Sequence, residues 1–365
     1  MSFVLHGLGT ATPPDRLTRA DAIAVAKVLA DPAISHWVED IYSGSGVNSR
    51  HQVIGRDVAD DVVNGTCVTG SPFLLDASRP NGPSTSARMA IYEKQATPLA
   101  TRAAALALEQ SGFAPESITH LVTVSCTGFV SPGVDFGLMT ALGLPSTVER
   151  VNVGFMGCHG SINGLRVANA YATADPTAHV LLTAVELCSL HYYYGGDPGK
   201  LIANALFADG AAALVGSGQP VENGWHVLAT GSVRVPDSEP DMGWKVGDSG
   251  FEMSLTKRVP KLIATHLKPW LVGWLAKNGL TADAVSGWAV HPGGPKVLTS
   301  VCEALGLPDS AVGYSRQVLA EYGNMSSPTV WFIVDRMRQA GVSGPVVVLG
   351  FGPGLVAEAA LIGPC

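Results

Sequence analysis

The stretch Val122–Gly128, VTVSCTG, reads as an apolar strand running into a small-residue loop, and Gly143-Leu144-Pro145 follows after a helix-length interval. The same order returns at Trp288–Gly294, WAVHPGG, ahead of Gly306-Leu307-Pro308. Beyond each GLP lies another small-residue loop, GFMGCHG at 154–160 and YGNMSS at 322–327. Each half then reaches an apolar strand, HVLLT at 179–183 or PVVVLG at 345–350. Landmarks repeated in one order predict two similar halves, residues 1–220 and 221–365, meeting near 216–226.

Working outward, short apolar runs at 119–124, 149–153, 179–183, 288–290 and 345–349 read as buried strands. Helical patterns are clearest at 98–110, 162–172 and 262–277. Alternation of the two predicts an α/β fold with a mostly parallel sheet covered on both faces. From Gly55 to Arg88 periodicity gives way to Gly, Pro, Ser, Asp and Asn. That excursion is compatible with a functional lid, a packed segment or a surface insertion.

Composition narrows the function. Hydrophobic residues make up 47% and charged residues 15% of the 365, which suits a well-buried enzyme and excludes a disordered or fibrous chain. A net charge of −7 argues against nucleic acid or an anionic membrane surface as the main partner. Apolar stretches fall short of a membrane helix, and the opening MSFVLHGLGTATPP has no signal-peptide pattern. Six cysteines, at 67, 126, 158, 188, 302 and 365, are expected to be free thiols in a cytoplasmic setting.

Three residues stand out for chemistry. Cys158 lies where a strand meets a Gly-flanked turn and a helix begins, so the helix dipole is expected to lower its pKa. His159 is adjacent but points away by about 100° on a helix, which makes it a poor base for the thiol. His291, at the carboxyl tip of a predicted strand, is the better candidate. Asn324 occupies the loop that duplication pairs with the Cys158 loop, and an amide there can donate to an oxyanion without titrating. LGFGPGL at 349–355 lacks the GxGxxG spacing and reads as a tight turn bordering a cavity. No metal-ligand spacing is present.

Taken together, Cys158 in GCHG, Phe207 in NALFADGAAALVG, His291 in VHPGGP, Asn324 in EYGNMSS and the closing GFGPG resemble the type III polyketide synthases. These are the chalcone-synthase-like branch of the thiolase superfamily, and VELCSLH resembles bacterial members. The resemblance implies a five-layered αβαβα thiolase fold, a homodimer, and iterative decarboxylative condensation of malonyl-CoA onto an acyl-CoA starter. Coenzyme A thioesters would serve as substrates, with no cofactor or metal. Cys158 would carry the acyl group, His291 would hold it as thiolate, and His291 with Asn324 would stabilise the enolate. Phe207 matches the aromatic gatekeeper between coenzyme A tunnel and cavity.

Departures from plant members are informative. GFEMSLTKRVP puts Met253, a flexible thioether, where a second gatekeeper Phe stands. The cavity positions implied by the resemblance are Cys126, Thr127, Cys188, His191 and Ser326; Cys at 126 and 188 is less polar than the Thr of plant members, which suits a fatty acyl starter and an alkylpyrone or alkylresorcinol product. Coenzyme A contacts fall to Arg50, the one Lys or Arg between 36 and 50, and to Lys296 beside HPGGP. The rival readings are a single-round ketoacyl-carrier-protein synthase and a silent acyl-CoA-binding thiolase-fold protein.

Overall fold

A computed structural model describes residues 2–222 and 224–364, so Cys365 lies outside the described residues. The chain opens with β1 (Val4–Ala11), β2 (Arg16–Thr18), α1 (Arg19–Leu29), α2 (Val38–Gly44), β3 (Ser49–His51), α3 (Arg56–Asn64) and α4 (Thr85–Ser111). It continues through β4 (His120–Ser125), α5 (Val134–Leu142), β5 (Glu149–Gly154), α6 (Gly160–Ala174), β6 (Val180–Leu187), α7 (Pro198–Leu206) and β7 (Asp209–Ser217). Next come β8 (Trp225–Arg234), β9 (Met242–Gly247), β10 (Gly250–Leu255), α8 (Val259–Lys277), β11 (Gly287–Val290) and α9 (Pro295–Leu305). The last elements are α10 (Gly313–Tyr322), α11 (Thr329–Gln339), β12 (Val346–Gly352) and β13 (Val356–Pro364).

Nine strands form one sheet, ordered β11-β12-β13-β8-β1-β7-β6-β4-β5. Its two sides join where Val4 faces His226 and Leu5 faces Trp225. The period-2 alternation of buried strands sorts their side chains into layers. Val122, Val124, Leu182 and Leu214 from one side, and Ala289, Val346 and Val348 from the other, enclose α6 and α11 in one core. The alternate residues Leu121, Leu181 and Val215 pack outward on α4. Trp288, Val347 and Leu349 pack outward on α8 and α9. Helix, sheet, helix, sheet, helix is the αβαβα arrangement.

The sheet is mixed rather than mostly parallel. β4 runs parallel to β5 and β6, and β11 to β12, but β7 and β13 return antiparallel to the strands before them. Between β12 and β13 only Pro353, Gly354 and Leu355 intervene, a hairpin turn too short for a parallel crossover. The excursion also differs from expectation, because α3 forms within it. RDVADDVVN places Val58, Ala59 and Val62 on one buried face. Beyond α3 the coil is pinned by Asp61, which accepts from Val68 N at 3.1 Å and from Thr69 N and Oγ1 at 2.7 Å. Helix α4 starts at Thr85, well before Pro98, with Ser84 capping Ala87 N.

Candidate active site

Cys158 sits on a single 3-10 turn, Gly157–His159, between β5 and α6. Gly157 takes φ +75°, and Phe155 takes φ 59° without being glycine. Such strain in a non-glycine residue gathers where a side chain must be aimed. His291 follows β11, and its backbone N donates to Leu349 O of β12 at 2.7 Å. Asn324 follows α10 through Gly323 at φ +76°. Asn324 Oδ1 accepts from Ser326 N at 2.8 Å, which turns its Nδ2 donor toward Cys158. Ser326, itself at φ 59°, brings its hydroxyl onto the Cys158 thiol and to 3.5 Å from Cys126 Sγ. Cys158 and Asn324, 166 positions apart, thus converge.

The ionisation differs from the expectation. Burial pushes the Cys158 thiol up to about 12, outweighing the contacts from Ser326 and Asn324 that favour thiolate. A turn's dipole is a local effect of about 1 kcal/mol, whereas burial removes the whole hydration shell. His291 is 1% exposed, and neither ring nitrogen has a partner among the described residues. Burial, then the neighbouring His159 charge, pull it down to about 3. Burial thus works against both charged forms, the thiolate and the imidazolium.

Two cavities with shared wall residues lie near the thiol. An inner chamber of about 30 Å³ is lined by Cys158 with Cys126, Thr127, Cys188, Ser326 and Pro353. An outer cavity of about 370 Å³ lies beyond it, walled by Val25 and Leu29 of α1, Val58 and Val62 of α3, and Phe73. Cys188, Phe207, Trp244 and Met253 line both, so the expected gate residues stand at the junction.

Several expected contacts resolve differently. Arg50 is buried, and its guanidinium donates to the carbonyls of Asn204 and Ala205 at 2.6 Å and of Phe207 at 3.0 Å. It caps the end of α7 through these three bonds, and it also lines the outer cavity. Lys296 is exposed on α9 and lines neither cavity. Arg50 and Lys200 both line the outer cavity, Lys200 paired with Glu252 at 2.9 Å. His191 lines the outer cavity as expected and is also a strut: Nε2 donates to Thr127 O at 2.6 Å and Nδ1 accepts from Phe251 N at 2.9 Å. Its ring stacks on Phe251 at 4.2 Å.

Glu186 was missed. Buried in β6, it accepts from Cys126 N at 3.0 Å, Cys126 Sγ at 3.2 Å, Thr127 Oγ1 at 2.7 Å and Ser327 Oγ at 2.6 Å. One carboxyl thereby ties β4, β6 and the Asn324 loop together. Burial raises its pKa above the ordinary value. The available signal was a single acid inside an otherwise apolar strand, HVLLTAVEL. Trp244, whose Nε1 donates to Cys126 O at 2.7 Å, was also missed.

A family model for the N-terminal domain of chalcone and stilbene synthases matches residues 4–220, and the C-terminal model matches 227–364. The chain belongs to the chalcone and stilbene synthase family. Among relatives of this family, the alpha-pyrone synthesis polyketide synthase-like Pks18 of Mycobacterium tuberculosis is 31% identical, covering 98% of this chain and 90% of its own. The 1,3,6,8-tetrahydroxynaphthalene synthase of Streptomyces peucetius subsp. caesius is 33% identical, covering 97% and 91%. PKS-I from the brown alga Ectocarpus siliculosus superposes with a TM-score of 0.91 at 31% identity, over 100% of this chain and 98% of that one. This chalcone-synthase-like chain is a type III polyketide synthase, a Claisen-condensing acyltransferase whose substrates are coenzyme A thioesters. No helix among the described residues is long and apolar enough to cross a membrane.

Proposed function

We propose that Cys158, in the half spanning 1–220, carries the acyl chain, and that His291 and Asn324, in the half spanning 221–365, serve it. The observation that carries this reading is His291, a buried imidazole left without a partner at either nitrogen beside the strand that frames the Cys158 turn. An unsatisfied buried polar group costs about 1–3 kcal/mol and persists where it has work to do.

Cys158 Sγ attacks the starter thioester carbonyl while its proton passes to His291. Coenzyme A leaves as thiolate and takes that proton. Malonyl-CoA then loses carbon dioxide, and the electron pair moves onto its thioester oxygen, held by N–H donors of His291 and Asn324. The α-carbon attacks the Cys158 thioester, a carbon–carbon bond forms, and Cys158 thiolate is released. Repetition lengthens the chain.

The starter we infer is a fatty acyl-CoA, and the product an alkylpyrone or alkylresorcinol. Support comes from the aliphatic wall that Val25, Leu29, Val58 and Val62 give the outer cavity, whose 370 Å³ holds on the order of a dozen methylenes, each about the size of a water. Met253 at the junction leaves a flexible passage. A homodimer is supported by β5, an edge strand paired only with β4, beside the exposed Phe129, Phe136, Phe155 and Met156. Reduced thiols at 126, 158 and 188 around one chamber fit a cytoplasmic enzyme.

The test is mass spectrometry of products from malonyl-CoA with acyl-CoA starters of graded length, beside Cys158→Ala. Cyclic products that vanish in the variant support the reading. A single linear product requiring a carrier protein overturns it.

A further inference from the structure

The turn carrying Cys158 is locked to β12 on both sides of the thiol. A Cβ added at Gly157 would lie 2.5 Å from Pro353 Cδ. A Cβ at Gly352 would lie 2.4 Å from His159 Cδ2 and 2.5 Å from its Nε2, and one at Gly350 would lie 3.0 Å from His159 Cβ. Glycines 350 and 352 therefore leave a notch in the strand, and the His159 imidazole fills it. The ring is 2% exposed, and its Nδ1 donates to Asn163 Oδ1 at 2.7 Å, one helical turn on. β12 is also the strand whose Leu349 carbonyl fixes the backbone of His291. One strand thus holds the turn of the thiol on one side and the imidazole's backbone on the other.

We infer that His159 is a positioning residue: its ring, keyed into the Gly350–Gly352 notch and tied to Asn163, holds the Cys158 turn in register with His291. The inference rests on Cys158 being the nucleophile. Because His159 points onto the strand rather than into either cavity, its loss disturbs the alignment of the thiol and leaves the substrate path intact. Misplacement of a reacting group by about 1 Å costs on the order of 100-fold in rate.

His159→Ala, Gly352→Ala and the double variant form the test, read by kcat, by KM for malonyl-CoA, and by the rate of Cys158 alkylation with iodoacetamide. Each single variant is expected to lower kcat and alkylation by roughly 10- to 100-fold with KM changed only a few-fold. In the double variant the added methyl enters the vacated notch, so its loss falls well short of the product of the two singles. His159→Phe, which keeps the ring and drops the Asn163 tie, is expected to lie between wild type and His159→Ala, and it carries the test if His159→Ala does not fold. Wild-type kcat and alkylation in His159→Ala, a purely multiplicative double loss, or an effect confined to KM would each overturn the inference. The alkylation arm needs no substrate. Normal alkylation in a wild-type enzyme that makes no product would count against the proposed reaction and leave the keying intact.

Discussion

Asn324 and Phe207 are held by each other's backbone. The amide of Asn324 donates to Leu206 O, and the amide of Ala208 donates to Asn324 O, both at 2.9 Å. The pair forms an isolated parallel bridge, so the proposed oxyanion donor and the proposed gate cannot drift independently. Asn324→Ala removes the donor without touching that backbone bridge. It is expected to lower the condensation rate by about 10²–10³, as loss of one oxyanion donor does elsewhere. Intact-protein mass spectrometry should still find Cys158 acylated by the starter. Loss of acylation as well would assign Asn324 to the first step.

The burial of Cys158 and His291 makes a pH prediction. With the thiol pushed up to about 12 and the imidazole pulled down to about 3, both are expected to be uncharged in the free enzyme at neutral pH. Alkylation of the free enzyme by iodoacetamide should keep rising as pH is raised above 8. A preformed ion pair would instead plateau near neutrality.

Asp209 gives a second pH signature, in stability. Burial raises its pKa to about 6, above the unfolded value, even though Ser189 N and Oγ and Val53 N all donate to it. Between about pH 4 and 6 the folded state binds more protons than the unfolded state, so stability falls as pH rises across that window. A shift of this size corresponds to about 2–3 kcal/mol. Asp209→Asn should flatten that slope in thermal unfolding followed against pH, whatever it does to the midpoint itself.

Arg50→Met should act on stability rather than on coenzyme A binding. Three carbonyls at the end of α7 lose their donor, at a cost of about 2–4 kcal/mol in urea unfolding. A several-fold rise in KM for malonyl-CoA without loss of stability would restore the phosphate-binding role.

Val62→Phe adds bulk to the wall of the outer cavity, away from Cys158. Starter preference is expected to move to shorter chains, because each methylene excluded forfeits about 0.8 kcal/mol. Met253→Phe, at the junction of the two cavities, should slow long starters more than short ones. Competition between octanoyl-CoA and palmitoyl-CoA measures both.

The layered architecture was legible because strand and helix periods differ and because the landmarks repeat. That Cys158, His291 and Asn324 lie in glycine-containing loops between elements was legible in the same way. Arg50 was misread because a cation in a short polar segment looks the same whether it meets solvent or a helix end. Its partners at 204, 205 and 207 are more than 150 residues away. Glu186 left only a trace, as one acid in an apolar strand, because what it ties together belongs to three distant segments. The ionisation of Cys158 was misjudged because a dipole is local and visible in sequence, whereas desolvation is set by everything packed around the turn. The parallel sheet was overestimated because strand order alone does not reveal which strands return by hairpin.

The first strand of the fold sits in the middle of the sheet. β1 pairs on one edge with β7, Ala11 against Ala211 and Val4 against Ser217, and on the other with β8. A ribosome therefore releases an apolar ribbon whose neighbours are about 200 residues behind it, some ten to forty seconds of synthesis away. Through that interval both edges are open to any other strand they meet. Crowding on a polysome or fast overexpression should accordingly cost it more yield than it would a protein whose strands pair with near neighbours in sequence.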